Sequence, residues 1–412
     1  MRLLCGMCLL ALVASAYAES PRFRTDADGP VKADEEKKTK GKSALPDWYR
    51  LVDGQFPPEG SAHAVSGELI AIDHLNRQFK IRVDRNDSQD RGVWDLPLHA
   101  AMLPYGAIYY HNAPAALQDI PLGTHLHGLF YLQDPDDKAA LPDDGYYRRH
   151  TPEAHFRRCF QIEDDFSFNA RQKQTWEIND VDLTAMKLTA TLQQEGKPVG
   201  AAKVFDLLTS TKVLKGSGFA DLKALAKGQQ VLFDLTWVTL YGPGRVMEIW
   251  IDDDARQLAT AQQLETHRNY IRQRGLPGWV TAVDDQQQIV TIVFFAGVDP
   301  KLFDELTAVT PPPTTAPTSP APTPAPDPST PSGAIAVARE SLMTYDPVND
   351  RKGGPVVEIK RIPIEPGSSG VQIKVKCDLM LEGFRPRRIV RFYPSTWKVI
   401  ALPREEEFFG SE

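Results

Sequence analysis

The chain has 412 residues, of which 42% are hydrophobic and 25% are charged, and its formal net charge is −7. These proportions are those of an ordinary globular protein, and the length suffices for about two to four domains. The acidic balance argues against general binding of polyanions, which requires a basic surface.

Residues 1–18 have the pattern of a secretory signal peptide. Arg2 supplies a positive charge, residues 3–13 are almost wholly apolar, and residues 16–18 (AYA) have the small-residue spacing that signal peptidase cleaves. The apolar run is shorter than the roughly 20 residues of a membrane-spanning helix, and no second long run follows. We therefore expect an exported protein in the periplasm, cell envelope or extracellular space, with no transmembrane segment after cleavage.

Two tracts lack the side chains that a packed core needs. Residues 19–45 are charged and poor in apolar groups, so we expect them to be disordered. Residues 311–333 are rich in proline, threonine and serine, which predicts an extended polyproline II linker. Such a linker acts as a spacer or carries sugars.

Between these tracts one pattern occurs three times and predicts a β-hairpin each time. Each copy has a strand, a polar turn that begins with an aspartate, and a second strand with alternating apolar residues. The aspartates are Asp73, Asp182 and Asp284, at spacings of 109 and 102 residues. Because an aspartate carboxylate bonds to backbone amides just ahead of it, we assign these residues to the turns rather than to catalysis. The matching apolar residues are Leu69, Ile178 and Val280 before the turn, and Phe79, Leu188 and Val290 after it.

A second element recurs at nearly the same period. A short helical turn ends at Gly123 in one copy and at Gly228, 105 residues later, in the next, and a strand follows each glycine. Glycine suits this place because it adopts positive φ at little cost. A degraded third copy carries Arg387 where the glycine belongs. Two elements with one period predict modules that were copied and then diverged.

The predicted fold class is mainly β, with tandem small modules. Module 1 spans 46–140 and module 2 spans 155–252, followed by a connecting helix at 253–274 and the start of a third module at 275–310. The C-terminal β region, 334–412, either completes the third module or forms a separate domain, and the repeat favours completion. The order of strand, turn, strand, helical turn, glycine and strand resembles an OB-like barrel, although an SH3-like barrel or a small sandwich gives a similar pattern.

The connecting helix begins with acidic residues and ends with arginines, an order that suits the helix dipole. Its small and apolar residues recur every three or four positions, which predicts a single buried stripe. That stripe consists of Ala255, Leu258, Ala261, Leu264 and Ile271.

Histidines are concentrated in module 1, where eight of the nine lie between His63 and His155. His125 and His127 alternate on a predicted strand, so their side chains share one face with Cα atoms about 7 Å apart, close enough to bind one metal ion. His99 and Met102 lie nearby in the sequence, and a methionine thioether suits copper(I). These four residues are our candidate ligands for copper or zinc. The competing interpretation places the two alternating histidines on a solvated face and needs no cofactor.

In this outline, module 1 resembles small periplasmic copper carriers with OB-like barrels, which use histidine, methionine and a neighbouring tryptophan. Trp94 stands in the same part of the module. The chain departs from those carriers because it has no methionines in Met-x-Met spacing.

The sequence carries no standard catalytic motif. It has no nucleophile elbow, no H-E-x-x-H helix, no P-loop and no dinucleotide fingerprint. Acidic triads at 163–165 (EDD) and 252–254 (DDD) stand at predicted strand ends, where acids commonly cap a turn or the next helix. We therefore favour a non-catalytic protein over an enzyme with an unrecognised site.

A basic strip with interleaved aromatic residues lies near the C-terminus. Inside a cell such a strip would suggest single-stranded nucleic acid, but export argues against that partner. An anionic glycan or wall polymer, or a merely solvated face, are the remaining interpretations. The strip consists of Lys374, Lys376, Arg385, Arg387, Arg388 and Arg391.

Two cysteines follow the signal peptide, Cys159 and Cys377. Either they form a disulfide, which an oxidising compartment permits, or they are separate buried thiols.

Together these features predict an exported, non-catalytic binding or scaffolding protein built from repeated β-barrel modules. Its partner is unknown from the sequence; an envelope protein or a glycan fits the predicted location. The alternatives are a periplasmic copper- or zinc-binding protein that uses the histidines of module 1, and an enzyme.

Overall fold

A computed structural model describes residues 49–84, 97–131, 157–238, 243–307, 333–337, 352–377 and 384–397. The predicted signal peptide, the charged segment at 19–45, Trp94 and all but the last residue of the 311–333 linker lie outside the described residues. Among the helices that are described, none is both long and apolar enough to span a bilayer.

The first sheet closes into a five-stranded barrel, barrel 1. Its strand order is β2-β1-β5-β6-β3-β4, and the additional pairing of β2 with β3 closes a ring of five strands that leaves β4 outside. β3 and β6 are parallel neighbours, whereas the other pairs are antiparallel. Apolar side chains such as Leu69, Phe79 and Phe130 fill the interior. The strands are β1 (His63–Asp73), β2 (Gln78–Val83), β3 (Leu98–Tyr110), β4 (Ala113–Pro114), β5 (His125–Tyr131) and β6 (Arg158–Asp164).

The second sheet repeats this arrangement as barrel 2. Its order is β11-β10-β13-β12-β7-β8-β9, with β10 also pairing with β8, so five strands again close. β10 and β13 are the parallel pair, in the place of β3 and β6. The strands are β7 (Gln174–Asp182), β8 (Lys187–Gln194), β9 (Lys197–Pro198), β10 (Lys203–Lys215), β11 (Gly218–Ala220), β12 (Gln230–Thr236) and β13 (Arg245–Trp250).

The third sheet joins strands that come before and after the proline-rich segment of the sequence at 311–332. Its order is β17-β16-β20-β14-β15-β19-β18, and within the described ranges no further pairing closes it. β20 pairs with β14 and β19 pairs with β15, so the C-terminal strands extend the hairpin at 276–295. The strands are β14 (Leu276–Asp284), β15 (Ile289–Phe295), β16 (Gly333–Val337), β17 (Lys352–Gly354), β18 (Val356–Arg361), β19 (Ser368–Lys376) and β20 (Ile389–Tyr393).

The fold prediction of tandem OB-like barrels is confirmed, and the repeated residues have matching geometry in all three sheets. A bulge follows Leu69, Ile178 and Val280 alike. The turn aspartates each accept hydrogen bonds from backbone amides two or three residues ahead, as their architectural assignment requires.

The glycine of the second repeated element has a left-handed backbone, and so does the arginine that replaces it. Gly123 and Gly228 have φ of 93° and 84°, and Arg387 has φ of 73°. The backbone amide of each donates a hydrogen bond to the carbonyl oxygen of the residue before the bulge. These acceptors are Leu69, Ile178 and Val280, at N–O distances of 2.7, 2.7 and 2.9 Å respectively. The segment at 384–390 is thus the third copy in conformation as well as in sequence.

Two helices connect these units. α1 (Asp165–Arg171) links barrel 1 to barrel 2, and α2 (Asp253–Arg274) leads from barrel 2 to the third sheet. The predicted stripe on α2 is wrong, since Leu258 is 37% exposed. α2 packs between units that offer polar partners, so its buried face includes polar side chains. The buried residues are Ala255, Ala259, Gln263, His267, Ile271 and Arg274.

The two cysteines are separate buried thiols and form no disulfide. Cys159 lies in the core of barrel 1 and Cys377 in that of the third sheet. The basic strip is not a uniformly solvated face either, because Arg391 is 7% exposed and Arg385 is paired with Asp285.

Candidate functional site

The main cluster of titratable side chains surrounds α1, between barrel 1 and barrel 2. β6 ends at Asp164, and α1 begins at the next residue. The Asp164 carboxylate caps the helix by accepting a hydrogen bond from the Ser167 amide at 2.8 Å. The acidic triad therefore starts a helix, and this places Asp165 in the first turn.

Asp165 bonds to both barrels at once. Its Oδ1 accepts from His125 Nδ1 at 2.8 Å and from His127 Nε2 at 2.9 Å, both on β5 of barrel 1. Its Oδ2 accepts from the backbone amide of Leu235 at 2.9 Å, on β12 of barrel 2. One buried carboxylate thus fastens two side chains of one barrel to the backbone of the other.

His125 lies between two carboxylates. Its Nε2 is 2.8 Å from Asp84 Oδ2, on the side opposite to Asp165, and Ser66 Oγ donates to the same Asp84 oxygen at 2.6 Å. Since both ring nitrogens face acceptors, the arrangement requires the imidazolium form. Burial opposes that charge, but Asp165 and Asp84 outweigh it and raise the pKa of His125 well above its usual value.

The pKa of Asp165 moves the opposite way. Burial favours its protonated form, but the charge and hydrogen bonds of His125 and His127 prevail and hold its pKa well below the usual range. His127 is further fixed by stacking on Phe168, with ring centroids 3.8 Å apart. The cluster is therefore an ionic bridge between a buried imidazolium and a buried carboxylate.

A second group, formed by His111, Asp164 and Asp234, adjoins the first. Asp234 Oδ1 accepts from the Phe166 amide at 2.8 Å, and Asp164 Oδ2 accepts from the His111 amide at 2.9 Å. Burial raises the pKa of Asp164 to about 6, and burial together with the neighbouring Asp164 raises that of Asp234 well above its usual value. Burial, assisted by Lys212, lowers the pKa of His111 to about 3. Burial therefore favours the neutral forms of His111 and Asp234, and both Asp164 and Asp234 accept hydrogen bonds from backbone amides of α1.

The structure brings two of the four predicted metal ligands together and leaves the other two elsewhere. His125 and His127 meet at Asp165, and His125 is only 4% exposed, so the solvated-face interpretation is wrong for it. His99 is 3.2 Å from Gln78 Oε1 on the neighbouring strand. Met102 packs in the core of barrel 1, because its side chain points inward from β3. The predicted set of four ligands is therefore not formed.

His125, His127 and Asp165 could form a three-donor metal site, because their donor atoms lie within 4.8 Å of one another. Two ligands of a tetrahedral zinc ion, each about 2.0–2.1 Å from the metal, lie roughly 3.3 Å apart. The N–O distances of 2.8 and 2.9 Å here are shorter and are those of hydrogen bonds. The protonated form of His125 also has no lone pair for a metal. As arranged, the group fits a hydrogen-bonded bridge better than a metal centre.

Sequence reasoning named Asp165 only as part of a capping triad and did not name Asp84 or Asp234. Asp84 and Asp165 lie far apart in the chain and meet on opposite sides of His125, and Asp234 joins the cluster from barrel 2 through the Phe166 amide. One available signal was the position of Asp165 directly after a predicted strand, at the start of a helix between two modules.

Comparisons with known proteins identify no family. No protein-family model matches the chain, and no curated protein matches its sequence. Among solved structures, a Cu(II) structure of a CusF variant from Escherichia coli is similar, with 14% identity and a TM-score of 0.15, covering 19% of this chain and 89% of that one. Drosophila Unr CSD456 is similar with 12% identity and a TM-score of 0.14, covering 56% of this chain and 78% of that one.

Proposed function

We propose that the protein is a non-catalytic binding protein outside the cytoplasm, whose barrels form one preassembled scaffold for a partner in the cell envelope or extracellular space. The observation that carries this proposal is the bonding of Asp165, which joins the imidazoles of barrel 1 to the backbone of barrel 2. The groups best suited to chemistry are engaged in assembly.

A catalytic use of the same groups would need a different arrangement. An activated serine donates its hydroxyl proton to an imidazole base. Ser66 instead donates to the Asp84 carboxylate, and His125 uses both nitrogens on carboxylates. The imidazolium that results has no lone pair with which to accept a proton.

Packing at the other interfaces supports a single rigid scaffold. Phe166 of α1 packs with Leu232 and Trp250 of barrel 2 and with the start of α2. On the far side of barrel 1, Tyr105 lies edge-on to Trp279 of the third sheet, with ring centroids 5.1 Å apart. Preorganised surfaces bind with less loss of conformational entropy, which is the advantage of a fixed arrangement.

The experiment compares two matched substitutions at the first residue of a helix, Asp165→Asn and Asp253→Asn. Asp165 is buried between the barrels, whereas the side chain of Asp253 is 80% exposed. Each variant of the processed protein is used to capture partners from an envelope extract, and small-angle X-ray scattering reports the arrangement of the barrels. We expect Asp253→Asn to behave as the native protein does, and Asp165→Asn to give a more extended particle with reduced capture.

Two results would contradict the proposal. One is full capture by an Asp165→Asn protein whose barrels have separated, because the fixed arrangement would then be unnecessary. The other is recovery of the protein from the cytoplasm with residues 1–18 still attached.

A second candidate function is binding of copper or zinc at the same cluster, favoured by the three donor atoms within 4.8 Å. Titration of the processed protein with copper(I), copper(II) and zinc tests it. Stoichiometric tight binding that is lost in a His125→Ala/His127→Ala double variant would favour this candidate over the scaffold. Unchanged binding in that variant would exclude the cluster as the metal site.

A further inference from the structure

A cavity of about 100 Å³ lies where barrel 1, α2 and the third sheet meet. Barrel 1 contributes the β1–β2 turn and the middle of β3, and α2 contributes its C-terminal half. The third sheet contributes the start of β14, the residues after β15 and one residue of β20. Three units that are separate in the sequence thus build one shared space.

The wall of this cavity is cationic. Arg77, Arg274 and Arg391 line it, and the described lining contains no aspartate or glutamate. Arg274 and Arg391 are each 7% exposed, and Arg391 Nη1 donates to the Arg274 carbonyl oxygen at 3.2 Å, so both of these cationic side chains are buried. The C-terminus of α2 adds only about half a negative charge, which three guanidinium groups outweigh.

His267 lies in the same wall and is 2% exposed. Neither of its ring nitrogens has a hydrogen-bond partner among the residues that the structure describes. Burial lowers its pKa to about 4, against the opposing charge of Asp299, so the ring is neutral near pH 7 and offers one N–H donor. Buried polar atoms of this kind normally have a partner, and a ligand or water in the cavity would supply it.

The size and entrance of the cavity restrict the ligand. A dry cavity of about 150 Å³ holds benzene, with its six non-hydrogen atoms, so by proportion this one holds about four. His74 and Gln118 are exposed and form the mouth, whereas His267, Arg274 and Arg391 form the buried end. A small anionic group can therefore enter from solvent and reach the arginines.

We propose that this cavity binds a small oxyanion, either a free anion or the carboxylate or phosphate group of a larger molecule that extends through the mouth. Guanidinium groups match the planar pair of oxygens that both anions present, and the neutral imidazole donates one further hydrogen bond. The inference deepens the proposed binding role, on which it rests, by naming the chemical class of a ligand.

Calorimetric titration of the processed protein with inorganic phosphate, sulfate and acetate, at constant ionic strength, tests this inference. We expect saturable binding of at least one anion at one site per chain. Arg391→Gln should weaken it by about tenfold or more, because a buried charge-assisted hydrogen bond is lost. Arg272→Gln is the matched control, since Arg272 lies on α2 but pairs with Glu305 outside the cavity.

Substitutions at the exposed mouth keep the test valid if the Arg391 variant does not fold. Gln118→Glu should weaken anion binding and Gln118→Lys should strengthen it, because each changes the charge at the mouth without disturbing the buried wall. Comparison of phosphate with glycerol phosphate distinguishes a free anion from the head group of a larger ligand.

Several outcomes would overturn the inference. They are the absence of saturable binding of all three anions by the folded native protein, and binding that neither the Arg391 nor the Gln118 substitutions change. Partner capture that persists without any anion binding refutes this inference alone. Anion binding that persists in a protein without partner capture refutes the scaffold alone.

Discussion

Strands β5 and β12 occupy the same place in barrel 1 and barrel 2, yet their outer faces differ. His125 on β5 lies opposite Glu68 on the neighbouring strand β1, and Gln230 on β12 lies opposite Glu177 on the neighbouring strand β7. Inward-facing residues are apolar in both strands, whereas on the outer face barrel 1 has histidines and barrel 2 has the buried Leu232. The interior of the barrel has kept its character, and the outer face has diverged for docking.

The acidic triads that follow these barrels show the same contrast. Asp164 and Asp252 both cap the helix that comes next, at N–O distances of 2.8 Å. The following residue differs in its surroundings, since Asp165 is buried against two histidines, whereas Asp253 is exposed and forms an ion pair with Arg256 of its own helix. Asp164 and Asp252 therefore have the same local role as helix caps. Of the residues that follow them, only Asp165 contributes to the contact between two barrels.

The largest expected effect is the difference in stability between substitutions at Asp165 and at Asp253. Asp165→Asn removes the charge that faces the buried imidazolium of His125, so the free energy of unfolding should fall by about 3 kcal/mol. Asp253→Asn should change it by no more than about 0.5 kcal/mol. Guanidinium denaturation of both variants measures the difference, and equal losses would show that Asp165 has no special role between the barrels.

The next prediction concerns His267 of α2 and the pH dependence of stability. His267 has a pKa of about 4 when folded, below the usual 6.5, so the unfolded chain binds its proton first as the pH falls. The native protein should therefore lose roughly 3 kcal/mol of stability through this group between pH 6.5 and pH 4. His267→Gln removes that loss. Denaturation of both proteins across this pH range measures their free energies of unfolding. The advantage of the native protein over the variant should shrink by about 3 kcal/mol as the pH falls. A constant difference would contradict the lowered pKa of His267.

A smaller effect tests the conformation that all three copies share. Gly228→Ala should cost about 1.5 kcal/mol, because alanine resists positive φ. No steric term adds to it, since a Cβ at this position would meet nothing within 4 Å. Arg387→Gly should relieve a similar cost in the third copy. Thermal unfolding measures both changes, and a stabilising Gly228→Ala would refute the shared geometry.

The smallest effect concerns the turn aspartates. Asp182→Ala and Asp284→Ala each remove two exposed hydrogen bonds to backbone amides and should cost about 1 kcal/mol. Similar losses at both sites, measured by urea denaturation, would support one architectural role. A much larger effect at one of them would indicate a separate function there.

The sequence was informative about the barrels because their interiors repeat. Leu69, Ile178 and Val280 follow one pattern, and each precedes the same bulge. It was misleading about α2, where Gln263 is buried because its amide donates to Asp119 of barrel 1. Such a contact depends on how the units dock, and the spacing of apolar residues in α2 cannot predict it.

The candidate site was predictable only in part for the same reason. Alternation on a strand placed His125 and His127 on one face, which the structure bears out through their shared contact with Asp165. Their acceptors come from other elements, 38 to 41 residues away in the chain. Periodicity within one strand cannot predict contacts between residues so far apart in the chain.

The brevity of α1 has a geometric consequence. Only Gln172 and Lys173 separate this seven-residue helix from β7. The number of residues in the helix therefore sets the angle by which barrel 2 is rotated about the helix axis relative to barrel 1. Each residue inserted into an α-helix adds about 1.5 Å and turns the C-terminal remainder of the chain by about 100°. A single insertion after Asn169 would swing Leu235 away from Asp165, whereas four would bring barrel 2 back to nearly its original bearing, about one helical turn farther out.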